Sequence, residues 1–141
     1  MLHEKGYPGE KLIGSSTWMS TILSHHNSIS SEYAQNDTLY PQLKPQLLQA
    51  IQRGELYPYD YAIIEDWYVA VKSNRQEAAY GYLNPLTQAE LPRADALNEK
   101  LGMRSIALRN RLVDIQTKTG LDFYLAGGFW RVGKIEAVDQ R

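Results

Sequence analysis

Residues 57–72 read Tyr-Pro-Tyr-Asp-Tyr-Ala-Ile-Ile-Glu-Asp-Trp-Tyr-Val-Ala-Val-Lys, and this stretch decides the fold. Tyr57-Pro58-Tyr59-Asp60 reads as a turn, because proline presets one backbone dihedral, and Asp60 offers a helix N-cap. From Tyr61 to Lys72 the pattern is apolar nearly all round: Ile63, Ile64, Trp67, Tyr68 and Val71, with Ala62 and Ala70 between them. A helix apolar on most sides is central rather than peripheral. Its end, Tyr68-Val69-Ala70-Val71, also suits a strand, since β-branched and aromatic residues pack well on a pleated surface.

Working outward from this centre, helices dominate. Upstream, Tyr40, Leu43, Leu47, Leu48 and Ile51 form an apolar stripe that ends at Arg53-Gly54. Pro41 and Pro45 predict that this helix starts regularly near Pro45 or is kinked there. Further upstream, Gly6-Tyr7-Pro8-Gly9 reads as a turn and residues 17–28 as a first helix carrying Trp18, Met19, Ile22, Leu23 and His26. Downstream, Ser73-Asn74-Arg75 is a turn and residues 77–83 a short extended segment. Leu91-Pro92 opens a helix stopped by Gly102, and residues 105–119 form another stopped by Gly120. Phe123-Tyr124-Leu125-Ala126 and Phe129-Trp130-Arg131-Val132 flank Gly127-Gly128, which predicts a C-terminal hairpin over 121–135. The expected fold is therefore mainly α (α+β): one domain over 1–141, a compact helical bundle with one or two small β hairpins.

Composition narrows the function classes. The chain has 141 residues, enough for a genuine core, with 43% hydrophobic and 22% charged residues and a net charge of −1. Nucleic acid and anionic membrane are not expected partners, since both select for positive excess. No apolar run approaches the roughly 20 residues of a membrane span. A soluble protein follows, cytoplasmic, or periplasmic if a signal peptide has been removed. There are no cysteines, which excludes disulfides and thiolate-held metals. Charge is uneven along the chain. Glu55, Asp60, Glu65 and Asp66 have no base between them, whereas Arg104, Arg109, Arg111 and Lys118 have only Asp114. These read as two solvated faces, or as a charged docking surface.

Few residues promise chemistry. No phosphate loop, dinucleotide fingerprint, nucleophile elbow or zinc-protease motif occurs, and no cofactor is expected. His25 and His26 are the metal-ligand candidates, although neither has a second ligand at helical spacing. Asp66 is flanked one turn away by Ala62 and Ala70, small residues that let another element approach closely and partly bury the carboxylate. A buried carboxylate needs a donor, whether a structural hydrogen bond or ion pair, or a catalytic pairing with His26. The alternation Tyr57, Tyr59, Tyr61 is either a stacking surface or a turn packed on the core.

The order of several segments resembles a bacterial family. These are Gly6-Tyr7-Pro8-Gly9, Lys11-Leu12-Ile13-Gly14, a helix ending His25-His26-Asn27-Ser28, a helix ending Gly54-Glu55-Leu56, then Tyr61-Ala62-Ile63-Ile64-Glu65-Asp66 and Tyr80-Gly81. The chain is in this respect similar to domain-of-unknown-function family 6624, over roughly residues 5–103. The resemblance matches Gly9 and Gly14 to turn glycines, His26 to the family's histidine, Asp66 to its aspartate and Tyr80-Gly81 to its last motif. It departs where Trp67 replaces an arginine, Tyr82-Leu83 replace Thr-Gln and His25 replaces a glutamine. Losing a permanently charged fork donor for an indole removes a carboxylate or phosphate clamp.

The expected function is accordingly a non-catalytic protein-binding domain, of the kind a bacterial immunity (toxin-neutralising) or accessory protein provides. Tyr59, Trp67, Tyr80 and Tyr82 are its candidate binding residues. The alternative is a hydrolase-like or small-ligand, metal-dependent enzyme using His26 and Asp66.

Overall fold

A computed structural model describes residues 40–125 and 133–140. The expected first helix with His25 and His26, the Gly-Tyr-Pro-Gly turn and the Gly127-Gly128 turn lie outside them. In order, the elements are α1 (Tyr40–Gln52), α2 (Pro58–Lys72), β1 (Leu86–Thr87), α3 (Leu91–Lys100), α4 (Ile106–Thr119) and β2 (Ala137–Val138).

The centre is α2, as its apolar sequence requires. It buries Tyr59, Tyr61, Ala62, Ile63, Ile64 and Ala70, together with two carboxylates, Asp60 and Asp66. Tyr68-Val69-Ala70-Val71 is helical throughout, so continuous packing overrides their strand propensity. Asp60 is not the cap. The helix starts one turn earlier, with Pro58 in the first turn and Tyr57 at the N-cap without a side-chain bond, which leaves Asp60 inside the first turn. Proline fits there because its missing N–H would have had no helical partner.

Helix α1 runs from Tyr40 with Pro45 inside it, so the regular helix begins a turn before that proline. Tyr40, Leu47 and Ala50 pack with Leu56, Tyr61, Ala62, Ile64, Ala79 and Tyr80 in the main core. Each fully buried Leu or Ile side chain stabilises by about 1.5–3 kcal/mol. A polar cluster reinforces the α1–α2 contact. Tyr40 and Tyr61 hydroxyls both donate to Glu65 Oε2, the latter at 3.0 Å, and Lys44 Nζ donates to Oε1 at 2.8 Å.

Helices α3 and α4 follow their end signals. The Ser105 hydroxyl accepts the Leu108 N–H at 3.3 Å, and Gly120 takes the left-handed conformation (φ +73°) that closes α4. Asp95 Oδ1 accepts the Ile106 N–H at 2.7 Å and so fixes α3 to the start of α4. A second core forms from Ala78, Leu86, Ala94, Ile106 and Ile135.

The β structure differs from expectation. Strands β1 and β2 are parallel, with Leu86 opposite Ala137 and Thr87 opposite Val138. Residues 121–125 and 133–135, the described arms of the expected hairpin, carry no strand, and neither does the 77–83 segment. What holds residues 133–135, just before β2, is α4. Asn110 accepts the Ile135 N–H at 2.8 Å and donates to the Ile135 carbonyl at 2.9 Å, as a neighbouring strand would. Lys134 pairs with Asp114 at 2.6 Å.

Candidate functional site

Asp66 faces the loop that follows α2 and is 1% exposed. Its Oδ1 accepts the N–H groups of Ala79 (2.9 Å) and Tyr80 (2.7 Å), and its Oδ2 those of Tyr82 (2.6 Å) and Leu83 (3.3 Å). One side chain thus replaces the ladder that residues 79–83 lack, which is why the segment needs no strand partner. Gly81 makes the loop possible. Its φ is +84°, and a Cβ there would lie 2.7 Å from Ile135 Cγ2 and 2.9 Å from Leu86 Cδ1. Burial pushes the Asp66 carboxyl above the ordinary aspartate range, and the four N–H groups act against that shift because each favours the ionised form. With two donors on each oxygen, a proton would have to displace one of them.

Held this way, Asp66 has both oxygens committed to the backbone and is a structural anchor. Its expected partner for catalysis, His26, lies outside the described residues, as does His25. Among the described residues no three metal-ligating side chains cluster.

A different place has unspent binding capacity. A cleft of about 350 Å³ is bounded by Tyr57, Pro58 and Tyr59 from the start of α2, Tyr82, Gly102, Met103 and Arg104 from the α3–α4 turn, Arg109 from α4, and Tyr124 and Leu125. Tyr59 and Tyr82 meet edge to face at 4.7 Å. The Arg109 guanidinium lies over the Tyr82 ring at 5.3 Å, and its Nη1 donates to the Gly133 carbonyl at 2.6 Å. Burial pushes the Tyr59 hydroxyl up to about 12 and raises Tyr82 as well, while Arg109 pulls both the other way. Both phenols therefore stay protonated at neutral pH and can donate.

Arg109 itself is 4% exposed. Among the described residues its buried Nε and Nη2 find no hydrogen-bond partner of normal geometry, and no carboxylate pairs with it. A buried cation with spare donors is unusual, because desolvation is offset only where the donors are used.

The four aromatic candidates divide. Tyr59 and Tyr82 come together in the cleft. Tyr80 is core, edge to face on Tyr61 at 6.5 Å. Trp67 is half-buried elsewhere, with Arg75 over its ring at 5.9 Å. The reading of the charge runs as solvated faces needs correction: Asp60, Asp66 and Arg109 are buried. In the sequence Tyr57 stood out only within the tyrosine alternation, Arg104 and Arg109 only within the charge run, and Tyr124 only as part of the expected hairpin. A signal for Arg109 was present, since it falls between Ile106 and Val113 at helical spacing, on the buried stripe of α4.

No family model, curated protein or solved structure matches this chain. The site is therefore read from its own geometry. The cleft offers guanidinium and phenol donors on aromatic walls, and its described lining holds no nucleophile–base pair. Such a surface can bind and orient a polar ligand. No described helix is long and apolar enough to cross a membrane.

Proposed function

We propose that this chain is a non-catalytic binding domain that receives an acidic segment of a protein partner in the cleft between α2 and α4, as an immunity or accessory protein would. The observation that carries the reading is the cleft itself, which sets Arg104 and Arg109 among Tyr57, Tyr59, Tyr82 and Tyr124 with no acidic residue in its described lining. Tyr57 and Tyr124, 52% and 77% exposed, stand beside it as apolar bodies with polar tips, the composition that interface anchors favour. Membership of domain-of-unknown-function family 6624 belongs to the same proposal. Asp66 and Tyr80-Gly81, which carry part of that resemblance, meet in one loop, so those positions serve the scaffold that presents Tyr82 to the cleft.

Display of random peptides against the purified chain tests the reading. Enriched peptides should carry an acidic residue or free carboxyl terminus next to an aromatic or apolar one, and should lose binding to a Tyr57→Ala/Tyr124→Ala variant. Enrichment indifferent to that double change, or no enrichment at all, would remove the cleft as a recognition site.

A further inference from the structure

The make-up of the cleft bears on the shape of its occupant. Its described lining holds four tyrosines and takes no residue from β1 or β2. A segment that adds a strand to a sheet would need a strand edge there, and an amphipathic helix would need a broad aliphatic groove, whereas Met103 and Leu125 are the only long aliphatic or thioether side chains in the described lining. A polyproline II segment needs something different. Its pyrrolidine rings pack on flat aromatic faces, and its carbonyls, which make no internal hydrogen bonds, look for donors. Tyrosine rings with hydroxyl tips, together with Arg104, provide both.

We propose that the acidic segment received by this cleft is rich in proline and binds as a polyproline II helix, its rings against Tyr57, Tyr82 and Tyr124 and its acidic side chain at Arg104. The proposal rests on the binding reading above and specifies the partner's conformation. Accessible groups carry it. Arg104, Tyr57 and Tyr124 are all exposed, and among the described residues no carboxylate pairs with Arg104. Arg109 and Tyr59 are buried and form the floor. Both exposed rings stand on constrained backbone. Tyr57 is extended (φ −71°, ψ 129°) because Pro58 follows it. Tyr124 is left-handed (φ +51°), and the Asp122 side chain supports it by accepting the Tyr124 N–H at 2.8 Å. A pre-set pair of rings meeting a pre-formed helix loses little conformational freedom on either side.

The test is titration of the ¹⁵N-labelled chain with three blocked peptides, following the backbone amides of Gly102, Met103, Arg104, Tyr124 and Leu125. Acetyl-Pro-Pro-Glu-Pro-Pro-amide carries rings and charge. Acetyl-Ala-Ala-Glu-Ala-Ala-amide keeps the charge without the rings, and acetyl-Pro-Pro-Gln-Pro-Pro-amide keeps the rings without the charge. Saturable movement of these amides is expected with the first peptide, bound about tenfold or more tighter than the alanine peptide. Tyr57→Ala and Tyr124→Ala should each weaken the first peptide by about fivefold or more. Should either variant misfold, Arg104→Gln replaces it, weakening the glutamate peptide and leaving the glutamine peptide unchanged. Equal binding of the proline and alanine peptides overturns the proposal while the acidic binding domain stands. Glutamine and glutamate peptides that bind equally well, and better than the alanine peptide, support the polyproline form and remove the acidic reading beneath it. Movement that no substitution at Tyr57, Tyr124 or Arg104 alters overturns the proposal, as does no movement with any of the three peptides.

Discussion

Among the buried charged side chains of the described residues, Asp66 and Arg109 carry opposite charges and are treated in opposite ways. Asp66 is 1% exposed and receives four backbone N–H groups. Arg109 is 4% exposed and spends one nitrogen on a carbonyl and its face on a tyrosine, with Nε and Nη2 buried and without a hydrogen-bond partner of normal geometry among the described residues. Similar burial therefore has two meanings. A charge whose hydrogen-bonding capacity is filled from within shapes the fold, whereas Arg109 leaves part of its capacity unfilled among the described residues. Burial alone separates neither case; the count of satisfied atoms does.

The sharpest way to break this contrast is at Asp66. Asp66→Asn sets an amide NH₂ against two N–H donors, and should cost about 3–5 kcal/mol, as breaking a buried charged network does. Urea unfolding monitored by circular dichroism reads it, and a loss below about 1 kcal/mol would show that the loop does not depend on the carboxylate. Next comes Gly81→Ala, which combines a left-handed backbone with a Cβ pressed on Ile135 and Leu86. A loss of about 2–4 kcal/mol is expected by the same assay, the sum of backbone strain and overpacking.

Asp60 shows what a buried carboxylate costs without such a loop. It is 8% exposed, and burial alone raises its carboxyl to about 6. The native state keeps the extra proton between the ordinary value of 3.8 and about 6. Stability from this site is thus full below the lower value and falls as pH rises through the upper one. Asp60→Asn should gain about 1–3 kcal/mol at neutral pH and flatten the stability profile across that window. Unfolding curves that leave the slope between pH 4 and pH 6 unchanged would assign it to other groups. The smallest effect is expected at Arg109. Arg109→Met exchanges one hydrogen bond for relief from desolvation, so stability should move by no more than about 1 kcal/mol in either direction. A loss as large as that at Asp66 would make the arginine structural and cancel the contrast.

Much of the scaffold was legible because its signals are local. Residues 57–72 are too evenly apolar to be anything but central, and Ser105 and Gly120 mark both ends of α4. The burial of Asp66 followed from Ala62 and Ala70 one turn to either side. Its partners did not, since backbone N–H groups leave no mark on the sequence beyond Gly81. The parallel pairing of β1 with β2 was equally silent. Two residues per strand show no periodicity, and Asn110, which holds Ile135 just before β2, imitates a strand from a helix. The cleft was half visible, in Tyr59 and Tyr82. Arg109 was hidden by being counted with Arg104, Arg111 and Lys118, although proximity in sequence says nothing of which face of α4 a charge occupies.

The Ile135 side chain that covers Gly81 has a consequence for biosynthesis. Ribosomes make the chain in order, so all four described helices and the loop around Asp66 exist before residues 133–138 do. The N–H groups that hold Asp66 are within reach as soon as residue 83 has emerged, but Leu86 and Gly81 wait uncovered until Ile135 arrives. A growing polypeptide thus passes through a stage with the carboxylate satisfied and an apolar flank open. That interval is when a chaperone or a like chain has access to a surface the finished protein no longer shows.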